Sequence, residues 1–412
     1  MFTTAELNAR LREVESRNLT YVGDDFPIYW SRAKGARIWD HQGREYIDFS
    51  SAFGVATVGH AHSEVLEAVR AQAAALPHAM GDVHPPLVKL ELLEALVRRL
   101  PPGGWRGILS LNGSDAVESA LKTVKIASGL PGIVAFEGAY HGLGYGALSV
   151  TARSHFRGPF RDQLGIPVFR LPFPEEGEPE GERKMFEVLR RMREIFEEEP
   201  VGGVIIEPIQ GRGGIRVPQP KFLAALCRTA RSQKKIVIFD EIMTGLGRTG
   251  RLFRFEEEGC VPDLLCLGKT LGGGFPISVM LGRSEIMDRW PETEGEAIHT
   301  STFTGHPIGC AAGLAVMELL ERKKLPQRAM RIERRVRSAL GRWKVVGRGA
   351  LLGVRLREKG AAVAVARRAL ERGLIVMVEG DEADVVGILP PLTIPFRLLE
   401  AGLCILREVL PA

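Results

Sequence analysis

Four stretches of this 412-residue chain place chemically capable side chains where a fold could use them. Lys269 lies in Gly268-Lys269-Thr270-Leu271-Gly272-Gly273-Gly274, after the apolar run 264–267. A lysine in a glycine-rich turn can meet a flat ligand lying against the backbone. Burial and nearby cations lower its pKa and make it a nucleophile that can form an imine. Asp240 ends the run Ile236-Val237-Ile238-Phe239. A carboxylate at the carboxyl end of a parallel strand points into the usual ligand crevice. Residues 112–118 (NGSDAVE) read as a strand end passing into a helix, whose first N–H groups are unpaired and favour an anion. There Gly113 lets the backbone come close, and the Ser114 hydroxyl can donate. Tyr140, in Tyr140-His141-Gly142, offers a ring to stack on a planar group. Singly, each has an ordinary reading: a surface lysine, a loop acid, a capped helix, a partly packed tyrosine.

These residues need a scaffold, and the hydrophobic pattern supplies one. From about residue 60, apolar strand-like runs alternate with amphipathic helices. The runs are 107–111, 133–136, 204–206, 236–239, 264–267 and 277–281; helices are expected at 114–128 and 220–233. Such alternation, with near-continuous apolar strands, predicts an α/β domain around a mostly parallel sheet covered on both faces. Earlier, Leu7, Leu11 and Val14 share one face of a helix over 4–16, and short strands are expected at 36–40 and 45–49. After about residue 308 the pattern turns helical and ends in short strands and a last helix. The length exceeds one simple core and implies two domains, or a large one beside a smaller. Residues 174–182 read as a surface loop, and the mixed-charge segment 184–199 as a solvated helix face.

Composition excludes several classes. The net charge of +5 is modest and dispersed, which argues against nucleic acid. No stretch reaches the roughly 20 apolar residues of a membrane span, and the N-terminus has no basic, apolar leader pattern. Cysteines 227, 260, 266, 310 and 404 show no metal or redox spacing, so no metal site is expected, and reduced thiols in a cytoplasmic protein are. Residues 245–250 (GLGRTG) match the dinucleotide fingerprint, but the following Arg251-Leu252-Phe253-Arg254-Phe255 does not look like an opening helix. Gly268-Lys269-Thr270 resembles the end of a P-loop, but Asp263 stands where its first glycine belongs.

Taken together and in order, these blocks resemble the class III aminotransferases over nearly the whole chain. The carrying segments are 26–28 (FPI), 35–49 (GARIWDHQGREYIDF), 59–62 (GHAH), 112–122 (NGSDAVESALK), 136–142 (FEGAYHG), 207–214 (EPIQGRGG), 239–250 (FDEIMTGLGRTG), 267–276 (LGKTLGGGFP) and 301–307 (STFTGHP). The resemblance implies fold type I of the pyridoxal-phosphate (PLP) enzymes. That means a large α/β domain (59–307) with a mostly parallel sheet, and a smaller α+β domain built from 1–58 and 308–412. It implies PLP as cofactor, Lys269 as the Schiff-base lysine and Asp240 paired with the pyridine nitrogen. It also implies Ile242 under the ring opposite Tyr140, phosphate at Gly113 and Ser114, and Gln210 near the ring hydroxyl. His141 and Glu207 are carried over as cofactor contacts with these motifs. Thr302 would reach the phosphate of a neighbouring subunit, which implies a homodimer with shared sites. The expected activity moves an amino group from an amino acid or ω-amino acid, such as 4-aminobutyrate, to a 2-oxo acid by a ping-pong route. Racemases, epimerases and an aminomutase share the machinery, and a PLP-binding regulator is the reading from another class; no DNA-binding motif is appended here.

The chain departs from the family pattern at two positions. Many members that use an ω-amino acid and 2-oxoglutarate carry glutamate after the Gln-Gly of the first motif and arginine before a Leu-Pro-Pro-Leu-like run. The arginine binds a substrate carboxylate and the glutamate neutralises it otherwise. Here those positions hold Arg212 and Gly387. Arg212 is the candidate carboxylate grip, by bidentate charge-assisted bonds; turning to solvent or pairing with a structural acid is the alternative. Phe53 is a candidate wall of the substrate pocket.

Overall fold

The computed structural model describes residues 2–23 and 26–411; Met1, Asp24, Asp25 and Ala412 lie outside the description. Its strands, in chain order, are β1 (Trp30–Lys34), β2 (Arg37–Asp40), β3 (Glu45–Asp48), β4 (Trp105–Ser110), β5 (Gly132–Phe136), β6 (Val168–Leu171), β7 (Val201–Ile206) and β8 (Ile236–Asp240). They continue as β9 (Leu264–Leu267), β10 (Ser278–Arg283), β11 (Lys344–Arg348), β12 (Leu351–Arg355), β13 (Leu374–Ile375), β14 (Met377–Glu379) and β15 (Val385–Ile388).

The central sheet has seven strands in the order β4-β10-β9-β8-β7-β5-β6. Six run parallel; β10 is antiparallel to both β4 and β9. Every residue of β5, β7, β8 and β9 is buried. That explains their unbroken Val/Ile/Leu runs: helices cover both faces, so neither face needs polar residues. Fully burying one such side chain contributes about 1.5–3 kcal/mol.

Two four-stranded sheets flank the centre. One is β1-β2-β3-β13, in which β13 from near the C-terminus lies parallel to β3 from near the N-terminus. The other, β11-β12-β15-β14, is antiparallel throughout. The expected mostly parallel sheet is therefore found, and β6 is an added edge strand whose Arg170 broke the apolar pattern.

Helix Gly113–Ser128 begins one residue before its expected start. Its N-cap Asn112 accepts from the Asp115 amide, and Gly129 ends it at φ +73°. The glycines of 245–250 pack rather than bind: a Cβ on Gly250 would lie 2.2 Å from Met330 Sδ, and one on Gly245 2.9 Å from Glu241 O. No helix follows them directly.

The expectation of five reduced thiols is corrected at two of them. Cys227, on helix Phe222–Ser232, and Cys260, in the loop before β9, form a disulfide with Cα atoms 6.5 Å apart. Both are buried beside the sheet, and the chain's folding rather than sequence spacing brings them together. Cys266, Cys310 and Cys404 are free. Among the described residues no His/Cys/Asp/Glu cluster could hold a metal, and no helix is long and apolar enough to cross a membrane.

Candidate active site

The parallel strands deliver their loops to one edge of the sheet. Lys269 follows β9, Asp240 ends β8, Glu207 follows β7, Tyr140 and His141 follow β5, and the helix after β4 starts at Gly113. This is the carboxyl edge where open α/β sheets bind ligands.

Lys269 adopts φ +36° at the start of a 3₁₀ turn over Lys269–Gly272, a strained conformation for a side chain. The turn is held from below: Arg248 Nη2 donates to Thr57 Oγ1 at 2.7 Å, and Thr57 shares a 2.7 Å hydrogen bond with Thr270. Arg248 is buried and also donates to the carbonyls of Ala350 and Pro390. The arginine of the fingerprint-like motif thus anchors the lysine turn. Burial lowers the Lys269 pKa; Asp240, Glu207 and Glu379 oppose the shift, and Arg212 adds to it. Gly54 leaves room beside the Lys269 side chain, where a Cβ on it would lie 3.6 Å from Cδ.

Asp240 is held on both oxygens. His141 Nδ1 lies 2.7 Å from Oδ2, and the Ile242 amide donates to Oδ1 at 3.1 Å. With these two contacts made, each oxygen keeps a lone pair for another donor. His141 Nε2 is buried without a partner among the described residues. Ile242 sits between two glycines: a Cβ on Gly113 would lie 2.8 Å from Ile242 Cδ1, and one on Gly268 3.4 Å from Ile242 Cγ2.

At the helix N-terminus, Ser114 Oγ accepts from the Gly144 amide at 2.9 Å. Gly142, at φ +123°, closes over it so tightly that a Cβ would lie 2.7 Å from Ser114 Oγ. Glu118, one helical turn on, accepts from the Ala147 amide at 3.0 Å and fixes the same loop.

Glu207 binds two loops together. Its oxygens accept from the Tyr140 amide at 2.8 Å and the Gly211 amide at 3.0 Å. Burial pushes its carboxyl up to about 7. Burial also raises the Tyr140 phenol. Gln210 is buried, with Nε2 donating to Glu137 O at 2.7 Å and Oε1 accepting from Arg216 at 3.3 Å. Each end of that amide keeps one further hydrogen-bonding position.

Arg212 meets an acid that sequence reading missed. Its Nη1 donates to Glu379 Oε2 at 3.0 Å, while Glu379 is almost wholly buried. Glu379 stands at the end of the three-residue strand β14, where neither periodicity nor motif marks it. Phe53 is 63% exposed on a left-handed turn next to Gly54, whose Cβ position lies 3.6 Å from Lys269 Cδ. Thr302 is exposed in a turn.

The residues fit a phosphorylated pyridine aldehyde. A lysine with lowered pKa, a carboxylate with spare lone pairs, an aliphatic platform and a helix N-terminus opened by Gly113 stand at one sheet edge.

A family model for the class III aminotransferases matches residues 20–410. The chain belongs to that family and is a PLP-dependent aminotransferase of fold type I. It is similar to the 5-aminovalerate aminotransferase of Pseudomonas aeruginosa, with 36% identity and 94% of each chain covered. It is also similar to the 4-aminobutyrate aminotransferase of Escherichia coli, with 33% identity and again 94% of each. Among solved structures, an ornithine aminotransferase from Toxoplasma gondii with partial PLP occupancy superposes with a TM-score of 0.87. Its identity is 27%, covering 98% of this chain and 93% of that one.

Proposed function

We propose that this enzyme moves the terminal amino group of an ω-amino acid to a 2-oxo acid, with Lys269 as the residue that carries the cofactor. One observation carries the reading: Lys269, its pKa lowered by burial, stands at the same sheet edge as the His141–Asp240 pair. The similarity to aminotransferases of 4-aminobutyrate and 5-aminovalerate supports the donor class.

PLP, when bound, supplies a carbonyl that exchanges amines and a ring that takes up electrons from the substrate carbon. Asp240 would hold a proton on the ring nitrogen, and His141 keeps that carboxylate oriented. Ile242 would support one ring face and Tyr140 the other. Gly113 and Ser114 would hold phosphate at the helix N-terminus. Glu207 keeps the Tyr140 and Gln210 loops in register. Lys269 Nζ, once free, moves a proton at the substrate carbon; its lowered pKa keeps more of it unprotonated near neutral pH.

We also propose a homodimer in which Thr302 completes the partner's phosphate site. Thr302 is exposed beside Phe303, and Met80, Val83, Leu87 and Leu90 are more than half exposed on the segment that packs against this turn. Gly81 approaches Thr304, and Thr300 bonds to Asp82 at 2.8 Å. An apolar patch of this kind marks an interface.

The test is amino transfer from 4-aminobutyrate or 5-aminovalerate to 2-oxoglutarate by the PLP-loaded enzyme. Glutamate formation that needs both substrates is expected. Loss of optical purity from a chiral amino acid with no oxo acid added, and no glutamate, would replace the reading with racemisation.

A further inference from the structure

The Arg212–Glu379 pair is only half satisfied on each side. Glu379 Oε2 accepts from Arg212, but Oε1 is buried with no partner among the described residues. Arg212 uses Nη1 alone, toward Glu379 and Val378 O, and its side chain is 27% exposed. Arg153, the other arginine nearby, is already bonded to Asp381 and Gly380 O.

Both members act on the reacting lysine, Glu379 holding its pKa up and Arg212 pressing it down. A run of packed positions leads from Glu379 toward the lysine: Leu389 lies 3.4 Å from a Cβ position on Gly387 and 3.9 Å from one on Gly54, and a Cβ on Gly54 would lie 3.6 Å from Lys269 Cδ. Gly387 is what admits Glu379 here. It pairs across the sheet with Met377, and a Cβ on it would lie 3.2 Å from Glu379 Cγ and 3.1 Å from Met377 Cβ. The arginine expected from the family pattern at position 387 and this glutamate therefore compete for one space.

We propose that Arg212 and Glu379 together read the far end of the donor, and that the preferred donor is an α,ω-diamino acid held by its zwitterionic α-amino acid head. The head's carboxylate takes the free edge of Arg212 and its ammonium takes Glu379 Oε1, leaving the ω-amine to reach Lys269. A zwitterion gives both members a partner without changing the site's net charge. A donor with only a distal carboxylate, such as 5-aminovalerate, satisfies Arg212 and leaves a buried carboxylate oxygen unpaired, which is costly. This inference rests on the ω-aminotransferase reading above.

The test compares ornithine with 5-aminovalerate, which differ only in the α-ammonium, using PLP-loaded enzyme and 2-oxoglutarate. Wild type is expected to favour ornithine in kcat/KM by roughly 10- to 100-fold, the worth of one charge-assisted hydrogen bond. The product should be the ω-aldehyde with its α-amino group intact. Glu379→Gln should bring the ratio of the two donors at least tenfold closer to unity, mainly through KM for ornithine. Gly387→Ala, which crowds Glu379, should move the ratio in the same direction. Equal use of both donors by wild type, or a ratio unmoved by both substitutions, would overturn the proposal while leaving ω-amino transfer standing. No glutamate from either donor would overturn the ω-aminotransferase reading and this inference with it. Wild type alone decides the preference should Glu379→Gln fail to fold.

Discussion

Substituting Gly113 by alanine tests whether the phosphate cradle and the ring support are one mechanical unit. The added Cβ would lie 2.8 Å from Ile242 Cδ1 and 3.1 Å from Cγ2, whereas ordinary contact begins near 3.4 Å. Ile242 must therefore retreat by about 0.6 Å, while its amide remains tied to Asp240 Oδ1. Overpacking of this kind costs about 1–3 kcal/mol. Alanine in a first helical turn returns up to about 1 kcal/mol in propensity, so the cofactor-free protein should change little in stability. The cost should fall on PLP binding, where the displaced side chain meets the ring: Kd is expected to rise roughly 5- to 100-fold. Equilibrium dialysis of PLP against cofactor-free protein measures it. Ile242→Ala removes the colliding atoms, so the double variant should bind PLP better than the two single effects added together predict. Additive effects, or an unchanged Kd in Gly113→Ala, would show that Ile242 does not face the cofactor from beside Gly113.

Two further outcomes follow from buried groups. Thiol titration without reductant should find Cys404 in the native protein and three thiols after denaturation, rising to five on reduction. Reduction should lower stability by about 3–4 kcal/mol for a closed loop of 33 residues, seen as a lower urea midpoint; an unchanged midpoint and five thiols throughout would contradict the disulfide. Glu241 accepts from the amides of Arg254 and Phe255, and burial pushes its carboxyl up to about 7 from an ordinary 4.5. The folded protein therefore holds this proton more tightly than the unfolded chain between those values. Its contribution is full below about 4.5 and falls as pH rises through about 7, by on the order of 3 kcal/mol. Urea midpoints at pH 5 and pH 8 should differ less in Glu241→Gln than in wild type, and an equal difference would count against the buried carboxyl.

How legible the molecule was depended on what each feature's signal was made of. The central strands were readable because burial on both faces makes a run such as Ile236–Asp240 apolar without interruption. Strand β6 was not, because its edge position tolerates Arg170, which reaches the carbonyls of Ser149 and Thr151. Lys269 and Asp240 stood out because a strand end is a fixed address in such a sheet. The His141–Asp240 contact spans 99 residues and depends on how β5 and β8 are spaced by β7, which no local pattern records. Glu379 carries least signal: one acid in a three-residue strand, significant only because Arg212 and Gly387 face it from elsewhere in the chain. The Cys227–Cys260 bridge was missed for the same reason, since neither residue has a neighbouring cysteine in sequence.

The central claim is that Lys269 carries the cofactor. Protein loaded with PLP should be reduced with borohydride, digested and mapped by mass spectrometry. The account predicts pyridoxyl modification on the peptide containing Lys269, and none on that peptide in Lys269→Ala. Modification of a different lysine, or a wild-type protein that yields none, would contradict it.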